Sequence, residues 1–312
     1  MEDNSVLKIL PQRLQKMINR ELKDLTKVQE IRIRSGKPLI AVLANQEYVC
    51  KYVVNSSDIR EILSYISNYS LYAYEDEMRQ GFITIDGGHR IGLCGQVTVE
   101  DGKIKNLKHI SSMNIRMAHE VIGCAEKVFS YLITEGELAH TLIVSPPGCG
   151  KTTLLRDLIR VVSDGSEYRK GMTVGVVDER SEIGGCHRGI AQNQLGMRTD
   201  ILDGCPKSEG MMMLIRSMGP EVIAVDEIGS ADDVHAIEYA MHCGCKMLAT
   251  VHGISIDEIR KKPVLGQIVK EQRFERYIVL GNRNGVGSVE GIYDSCGRML
   301  FCDRSNDALG DG

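Results

Sequence analysis

An apolar run from His140 to Val144 leads directly into Ser145-Pro146-Pro147-Gly148-Cys149-Gly150-Lys151-Thr152-Thr153, and then into a helical pattern. Strand, glycine-rich turn and helix in that order build a phosphate-binding loop. Gly148 and Gly150 let the backbone curl until several amides and a helix N-terminus face one polyphosphate. Lys151 then reaches the β- and γ-phosphates, and Thr152 ligates Mg²⁺. Pro147, Gly148, Cys149, Gly150, Lys151, Thr152 and Thr153 are the expected nucleotide-binding residues, with ATP or GTP as ligand. The usual spacing places glycine first, where this chain has Ser145 followed by two stiffening prolines. Leu154, Leu155, Leu158, Ile159 and Val162 supply the helical spacing that the motif requires behind the loop.

Three later apolar runs, Val174 to Val177, Val222 to Val225 and Met247 to Val251, read as strands buried on both faces. Each stops at a polar group: Asp178-Glu179-Arg180, Asp226-Glu227 and His252. If these strands are parallel, all of those groups meet the phosphate loop at one sheet edge. Asp226 is then the carboxylate of the Mg²⁺ shell, and Glu227 the group that orients attacking water. Glu179 can supply that second role instead, and the sequence does not choose between them. His252 is placed to sense the γ-phosphate. An arginine completing the site has seven candidates: Arg32, Arg34, Arg90, Arg180, Arg188, Arg198 and Arg216. Met211-Met212-Met213-Leu214-Ile215 reads as a helix packing on the sheet, because methionine fills irregular cores.

At 312 residues the chain exceeds what one core usually serves, so two domains are expected. The first, 1–118, reads as α+β. A helical lead-in from Val6 to about Lys27 is interrupted by Pro11. Glu30 to Arg34 alternates at period two, and Leu39 to Leu43 with Tyr48 to Val54 form a hairpin at a half-buried sheet edge. Helices are expected over Asp58 to Ser67 and Tyr72 to Arg79. A second hairpin pairs Phe82 to Asp86 with Arg90 to Val99 across Gly87-Gly88. A helix from Glu120 to Tyr131 leads into the second domain, 119–304, where alternating strands and helices imply a covered parallel sheet. Late strands follow at Tyr277 to Leu280 and Ser288 to Tyr293, and 305–312 is a flexible polar tail.

A net charge of −4 with mixed signs gives no general pull toward nucleic acid, and no stable nucleic-acid complex is expected. No apolar run reaches the ~18 residues that span a bilayer, and the start of the chain is acidic, so a cytoplasmic protein without direct membrane insertion is expected. Ten scattered cysteines fit reduced thiols rather than a disulfide scaffold. His242-Cys243-Gly244-Cys245 with Cys186-His187 does not match the common zinc spacings.

Several runs carry a family resemblance: Arg198 to Lys207, Gly210 to Met218, Val225-Asp226-Glu227-Ile228-Gly229, Val177 to Ile183 and Ala249-Thr250-Val251-His252-Gly253. In the first domain, Glu30 to Arg34 with Gly36-Lys37-Pro38, and Gly87 to Gly95, belong to the same pattern. Together they resemble the stage III sporulation protein AA family, over most of the chain. That resemblance implies an α/β P-loop NTPase of RecA/AAA-like type, a parallel sheet with helices on both faces, preceded by a smaller α+β N-terminal domain. It further implies an ATP- and Mg²⁺-dependent ATPase similar to the hexameric motors of type II and type IV secretion. Such a ring would act on the mother-cell side of the engulfed forespore and energise membrane-embedded sporulation channel proteins. A nucleic-acid-stimulated motor and an ATP-dependent assembly scaffold are the alternative classes.

Overall fold

Period-two and helical spacings become two separately folded units in the computed structural model, which describes residues 5–22, 27–43, 46–67, 74–118, 120–167, 169–283 and 285–302. The first unit comprises 1–119 together with 185–192, and the second 120–184 together with 193–312.

The first unit opens with α1 (Ser5–Lys8) and α2 (Gln12–Glu21), separated at Pro11, whose missing N–H and fixed φ suit a helix start. β1 (Val28–Arg34), β2 (Pro38–Leu43) and β3 (Gln46–Val53) follow, then α3 (Ser56–Ile66) and α4 (Glu75–Gln80). β4 (Phe82–Thr84), β5 (Arg90–Glu100) and β6 (Lys103–Arg116) complete one antiparallel sheet of order β3-β2-β1-β6-β5-β4. The edge expected for the first hairpin is β3, whereas β1 is interior because β6 pairs with its free side. β6 breaks clean alternation at several register shifts against β5, which hides it from a period-two reading. Ile31, Ile33, Ile91, Met113 and Ile115 bury one sheet face with Leu14 and Ile18 of α2 and Ile59 and Ile62 of α3.

α3 begins at a capping box in which the Asn55 side chain accepts from Asp58 N and Asp58 returns a carboxylate to Asn55 N at 2.8 Å. Such a cap stabilises by ~1 kcal/mol. Asp58 is fully buried, and it also accepts from Tyr52 Oη at 2.9 Å and from Arg13 of α2, so one carboxylate ties both helices to the strand hairpin. Of the expected helix from Tyr72 to Arg79, residues 72 and 73 lie outside the described residues, as does the tail 305–312.

The segment 185–192 follows a strand of the second unit, Val174–Asp178, in sequence, yet it belongs to the first unit. His187 Nδ1 lies 3.0 Å from Thr84 O and its ring stacks on Tyr74, while Gly87 N donates to Gln192 Oε1 at 3.0 Å. These local bonds, invisible in spacing, are why a single boundary near 118 does not describe the chain.

In the second unit, α5 is only Glu126–Phe129, followed by a 3₁₀ turn over Ser130–Leu132. A helix over Glu120 to Tyr131 does not form. Gly123 has φ +90°, which breaks a helix there, and the Asp157 carboxylate of the following helix takes Ala125 N at 2.7 Å, where α5 begins. A small hairpin, β7 (Ile133–Thr134) and β8 (Glu137–Leu138), precedes β9 (Thr141–Ser145) and α6 (Lys151–Asp164). β10 (Gly165–Ser166) and β11 (Arg169–Lys170) form another small hairpin. Then come β12 (Val174–Asp178), β13 (Thr199–Asp203), α7 (Lys207–Ser217), β14 (Val222–Val225), α8 (Ala231–His242) and β15 (Lys246–His252). α9 (Ile256–Lys261), α10 (Leu265–Lys270), β16 (Arg276–Gly281), β17 (Ser288–Asp294) and β18 (Met299–Phe301) close the chain.

The eight-stranded sheet has the order β13-β12-β14-β15-β9-β16-β17-β18. Its first six strands run parallel, and β17 and β18 return antiparallel. β9, β12 and β14 are buried at every position, which explains their unbroken apolar spelling. β13 escapes that reading because it lies at the sheet edge and spells Thr-Asp-Ile-Leu-Asp. α7 packs Met211 and Leu214 on the sheet, as its methionine run suggests, but Met213 faces solvent.

Candidate nucleotide-binding site

Parallel pairing brings every polar strand end to one edge. Val144 stands opposite Val251, Ser145 opposite His252, Ala249 opposite Val225, and Val225 opposite Val177. The turn after β9 is shaped as its glycines require: Gly148 and Gly150 have φ +72° and +79°, and Gly150 caps α6 while its carbonyl accepts from Leu154 N at 2.9 Å. An L side chain at either position would be strained. Cys149 is buried in the turn, and Ser145 Oγ donates to Pro146 O at 2.9 Å, so the serine in place of the first glycine is accommodated locally.

Lys151 and Thr152 begin α6 and turn toward β14. Lys151 is only 8% exposed, and its Nζ lies 2.5 Å from Glu227 Oε1. Thr152 Oγ1 donates to Asp226 Oδ2 at 2.6 Å. Glu227 also accepts from Arg180 at 2.6 Å, and its Oε1 lies 2.8 Å from His252 Nε2. Burial pushes the Glu227 carboxyl up, but the hydrogen bond and charge of Lys151, with His252 and Arg180 behind them, outweigh it and hold the group below the usual carboxylate range. Glu227 adopts φ +55°, a left-handed conformation that a glutamate takes only when its surroundings impose it. Thr250 imposes it. Its hydroxyl accepts from Glu227 N at 2.9 Å and donates to Asp226 Oδ1, while its carbonyl accepts from Ile228 N at 2.9 Å.

Lys151 and Thr152 at the start of α6 and the strand-end residues Asp226, Glu227 and His252 thus form one bonded cluster. Glu179 lines the same cleft as Arg180, Lys207, Asp226 and Glu227, but it is engaged by Lys207 at the start of α7. Asp178 instead accepts from the backbone N–H of Glu182, Ile183 and Gly184 at 2.8–2.9 Å and shapes the turn after β12. Among the seven arginines, Arg180 is the one with a bond to this cluster among the described residues. Arg32 pairs with Glu30 and Glu47, Arg90 lies over the Phe82 ring, and Arg198 donates to the carbonyls of Ser163 and Asp164. Arg34, Arg188 and Arg216 are exposed. Cys186 and His187 group with the first unit, whereas Cys245 is buried in the second and its thiol donates to Pro220 O at 3.2 Å.

Sequence reasoning passes over Thr250 and Arg156. The available signal for Thr250 was a lone hydroxyl inside an apolar strand buried on both faces, a position that a polar side chain holds only with partners. Arg156 of α6 donates to the carbonyls of Glu182 and Ile183 at 2.7 and 2.8 Å, and nothing in the spacing announces that bond.

Burial raises the Asp178 carboxyl to about 6, with the Gly184 and Glu182 amides pulling it down and the nearby Asp203 charge adding to the rise. The folded state therefore holds a proton between pH ~4 and ~6 that the unfolded chain has released, so this group's contribution to stability is full below that window and declines as pH rises through it. Asp178→Asn is expected to destabilise at every pH, because an amide nitrogen replaces one acceptor facing three donors. Its deficit against wild type, measured by urea unfolding, should be widest near pH 4 and narrow by about 3 kcal/mol by pH 7. A deficit that does not change with pH would contradict the assignment.

The oxygen donors of Thr152 and Asp226, hydrogen-bonded to one another, are the hard, compact set that suits Mg²⁺. The nearby Lys151 ammonium and the N-terminus of α6 suit phosphate.

The family model described as "Sporulation stage III, protein AA" matches residues 1–300. The "Stage III sporulation protein AA" of Bacillus subtilis (strain 168) is 43% identical over 298 residues, covering 95% of this chain and 97% of that protein. Among solved structures, the pilus retraction motor PilT with bound ADP aligns with a TM-score of 0.58 at 14% identity, over 84% of this chain and 76% of PilT. The Legionella pneumophila ATPase DotB aligns with a TM-score of 0.56 at 14% identity, over 86% and 76% of the two chains. At such identity the likeness is one of fold: an α/β P-loop-like architecture, with a mixed, largely parallel sheet flanked by helices.

Proposed function

The chain belongs to the sporulation stage III, protein AA family, and we propose that it acts there as a Mg²⁺-dependent ATPase energising a channel complex between mother cell and forespore. The observation that carries this reading is the pair of contacts Lys151–Glu227 and Thr152–Asp226, which joins the turn after β9 to the end of β14. In this reading Pro147 to Thr153 wrap the phosphates, and Thr152 and Asp226 hold Mg²⁺, which when bound neutralises charge on the β- and γ-phosphates. Glu227 accepts a proton from the attacking water, His252 reports on the γ-phosphate through Glu227, and Arg180 offers positive charge at the same carboxylate. Glu179, held by Lys207, is the reserve acceptor in the cleft.

Hydrolysis would move the N-terminal domain relative to the ATPase domain within a homo-oligomeric ring of hexameric type. Work would pass to membrane-embedded partners on the mother-cell side. No helix among the described residues is long and apolar enough to cross a membrane.

The test is light scattering of the full chain with and without a nonhydrolysable ATP analogue, paired with phosphate release across protein concentrations. Assembly on nucleotide, with specific activity rising on assembly, is expected. Normal turnover in a strictly monomeric preparation would remove the ring. Turnover stimulated by nucleic acid, with binding that falls steeply as salt rises, would favour the nucleic-acid motor. Absent turnover with membrane partners present would favour the scaffold.

A further inference from the structure

We infer that the nucleoside half of the triphosphate is held on the β16 flank of the phosphate loop, between aliphatic residues of two segments, Val121-Ile122 and Val286; this rests on the nucleotide reading above. Sheet order sets the direction. Asp226, Glu227 and His252 come from β14 and β15, which lie on one side of β9, so the γ-phosphate end belongs to that side. β16 pairs in parallel with the other side of β9, so its carboxyl end reaches the same sheet edge. A triphosphate laid along the turn with its γ end at Lys151 and Glu227 must carry its ribose and base toward β16.

Two segments line that flank. The turn between β16 and β17 presses on the loop itself: a Cβ added at Gly150 would stand 3.0 Å from Gly287 Cα. Gly285 and Gly287 have φ +105° and +82°, and Val286 between them is 76% exposed. Beside that turn, Ser288 has a buried hydroxyl without a hydrogen-bond partner.

The second segment runs beside the first turns of α6. Cys124 Sγ donates to Thr153 O at 3.8 Å, and Ala125 N donates to Asp157 Oδ2 at 2.7 Å. Just upstream, Val121 and Ile122 are 50% and 52% exposed. Downstream, the same stretch stays with the β16 side of the sheet. Arg276 of β16 donates to Tyr131 O at 2.8 Å and to Thr134 Oγ1 at 2.6 Å, and Tyr131 packs on Phe301 of β18 at 5.5 Å between ring centroids. Aliphatic surface left in water on both segments beside the phosphate loop is what the face of a purine covers favourably.

Titration calorimetry of the full chain with Mg²⁺, using ATP and inorganic tripolyphosphate in parallel, separates the base from the phosphates. The double variant Ile122→Ser/Val286→Ser is expected to bind ATP about tenfold more weakly. Its affinity for tripolyphosphate should match wild type, and Val286→Ile should keep the wild-type affinity for ATP. Each single serine variant, read the same way, decides the matter if the double variant does not fold. Unchanged ATP affinity, or ATP and tripolyphosphate weakened together, overturns the inference while leaving the phosphate loop standing. Failure of wild type to bind either ligand overturns the nucleotide reading, and this inference with it.

Discussion

Lys151→Ala is expected to lower ATP hydrolysis by about 10³-fold or more and to weaken ATP binding, while circular dichroism shows an unchanged fold. The size follows from where the ammonium sits. Lys151 is nearly buried at the first residue of α6, held against Glu227 at 2.5 Å. A fixed charge in such a site needs no reorganisation as negative charge shifts between phosphate oxygens, and that preorganisation is the main resource available to phosphoryl transfer. Among the described residues, the other guanidinium or ammonium that bonds Glu227 is that of Arg180, whose side chain is largely exposed. Folding tolerates the change better than catalysis does. Glu227 keeps His252 and Arg180 after the truncation, so no carboxylate is left unpaired. Steady-state phosphate release and the Kd of a fluorescent ATP analogue check both halves. A variant with near wild-type turnover would mean that Lys151 does not contact the transferred phosphate.

How much of this was legible in the sequence depends on the kind of signal. β9, β12, β14 and β15 declare themselves because parallel strands buried on both faces must be spelled in apolar residues, and the turn after β9 because only glycine takes its left-handed positions. From those, the meeting of Asp226 and Glu227 with Lys151 and Thr152 follows by topology alone. β13 and β6 were illegible for opposite reasons. β13 is an edge strand with little burial, and β6 loses its alternation at the bulges it makes against β5. The helix expected before α5 is broken at Gly123, with φ +90°, and Asp157 of a later helix takes Ala125 N where α5 begins. The choice among seven arginines, and the role of Thr250, rest on side-chain hydrogen bonds between segments far apart in sequence. Spacing carries no record of those bonds.

Glu227→Gln is expected to cut turnover by about 10²–10³-fold while binding ATP as tightly as wild type or tighter, the opposite binding phenotype to Lys151→Ala. Without nucleotide, Glu227 bonds two cationic side chains, Lys151 and Arg180, and the His252 ring at once. In the proposed mechanism phosphate competes with this carboxylate for Lys151, so the residue proposed to accept a proton also restrains that lysine beforehand. Glutamine keeps the size and the hydrogen-bond acceptor but gives up the charge. The restraint on Lys151 therefore weakens, and the capacity to take a proton from water disappears. The left-handed backbone at 227 is no harder for glutamine than for glutamate, and Thr250 still accepts from the 227 amide, so the turn itself should persist. Kd for ATP and single-turnover hydrolysis, measured on the same preparation, separate the two effects. Glu179→Gln is the internal comparison. Its carboxylate is occupied by Lys207 rather than by the loop lysine, so it should leave both quantities near wild type. If Glu227→Gln turned over normally and Glu179→Gln did not, the proton acceptor would lie at the end of β12 instead of β14.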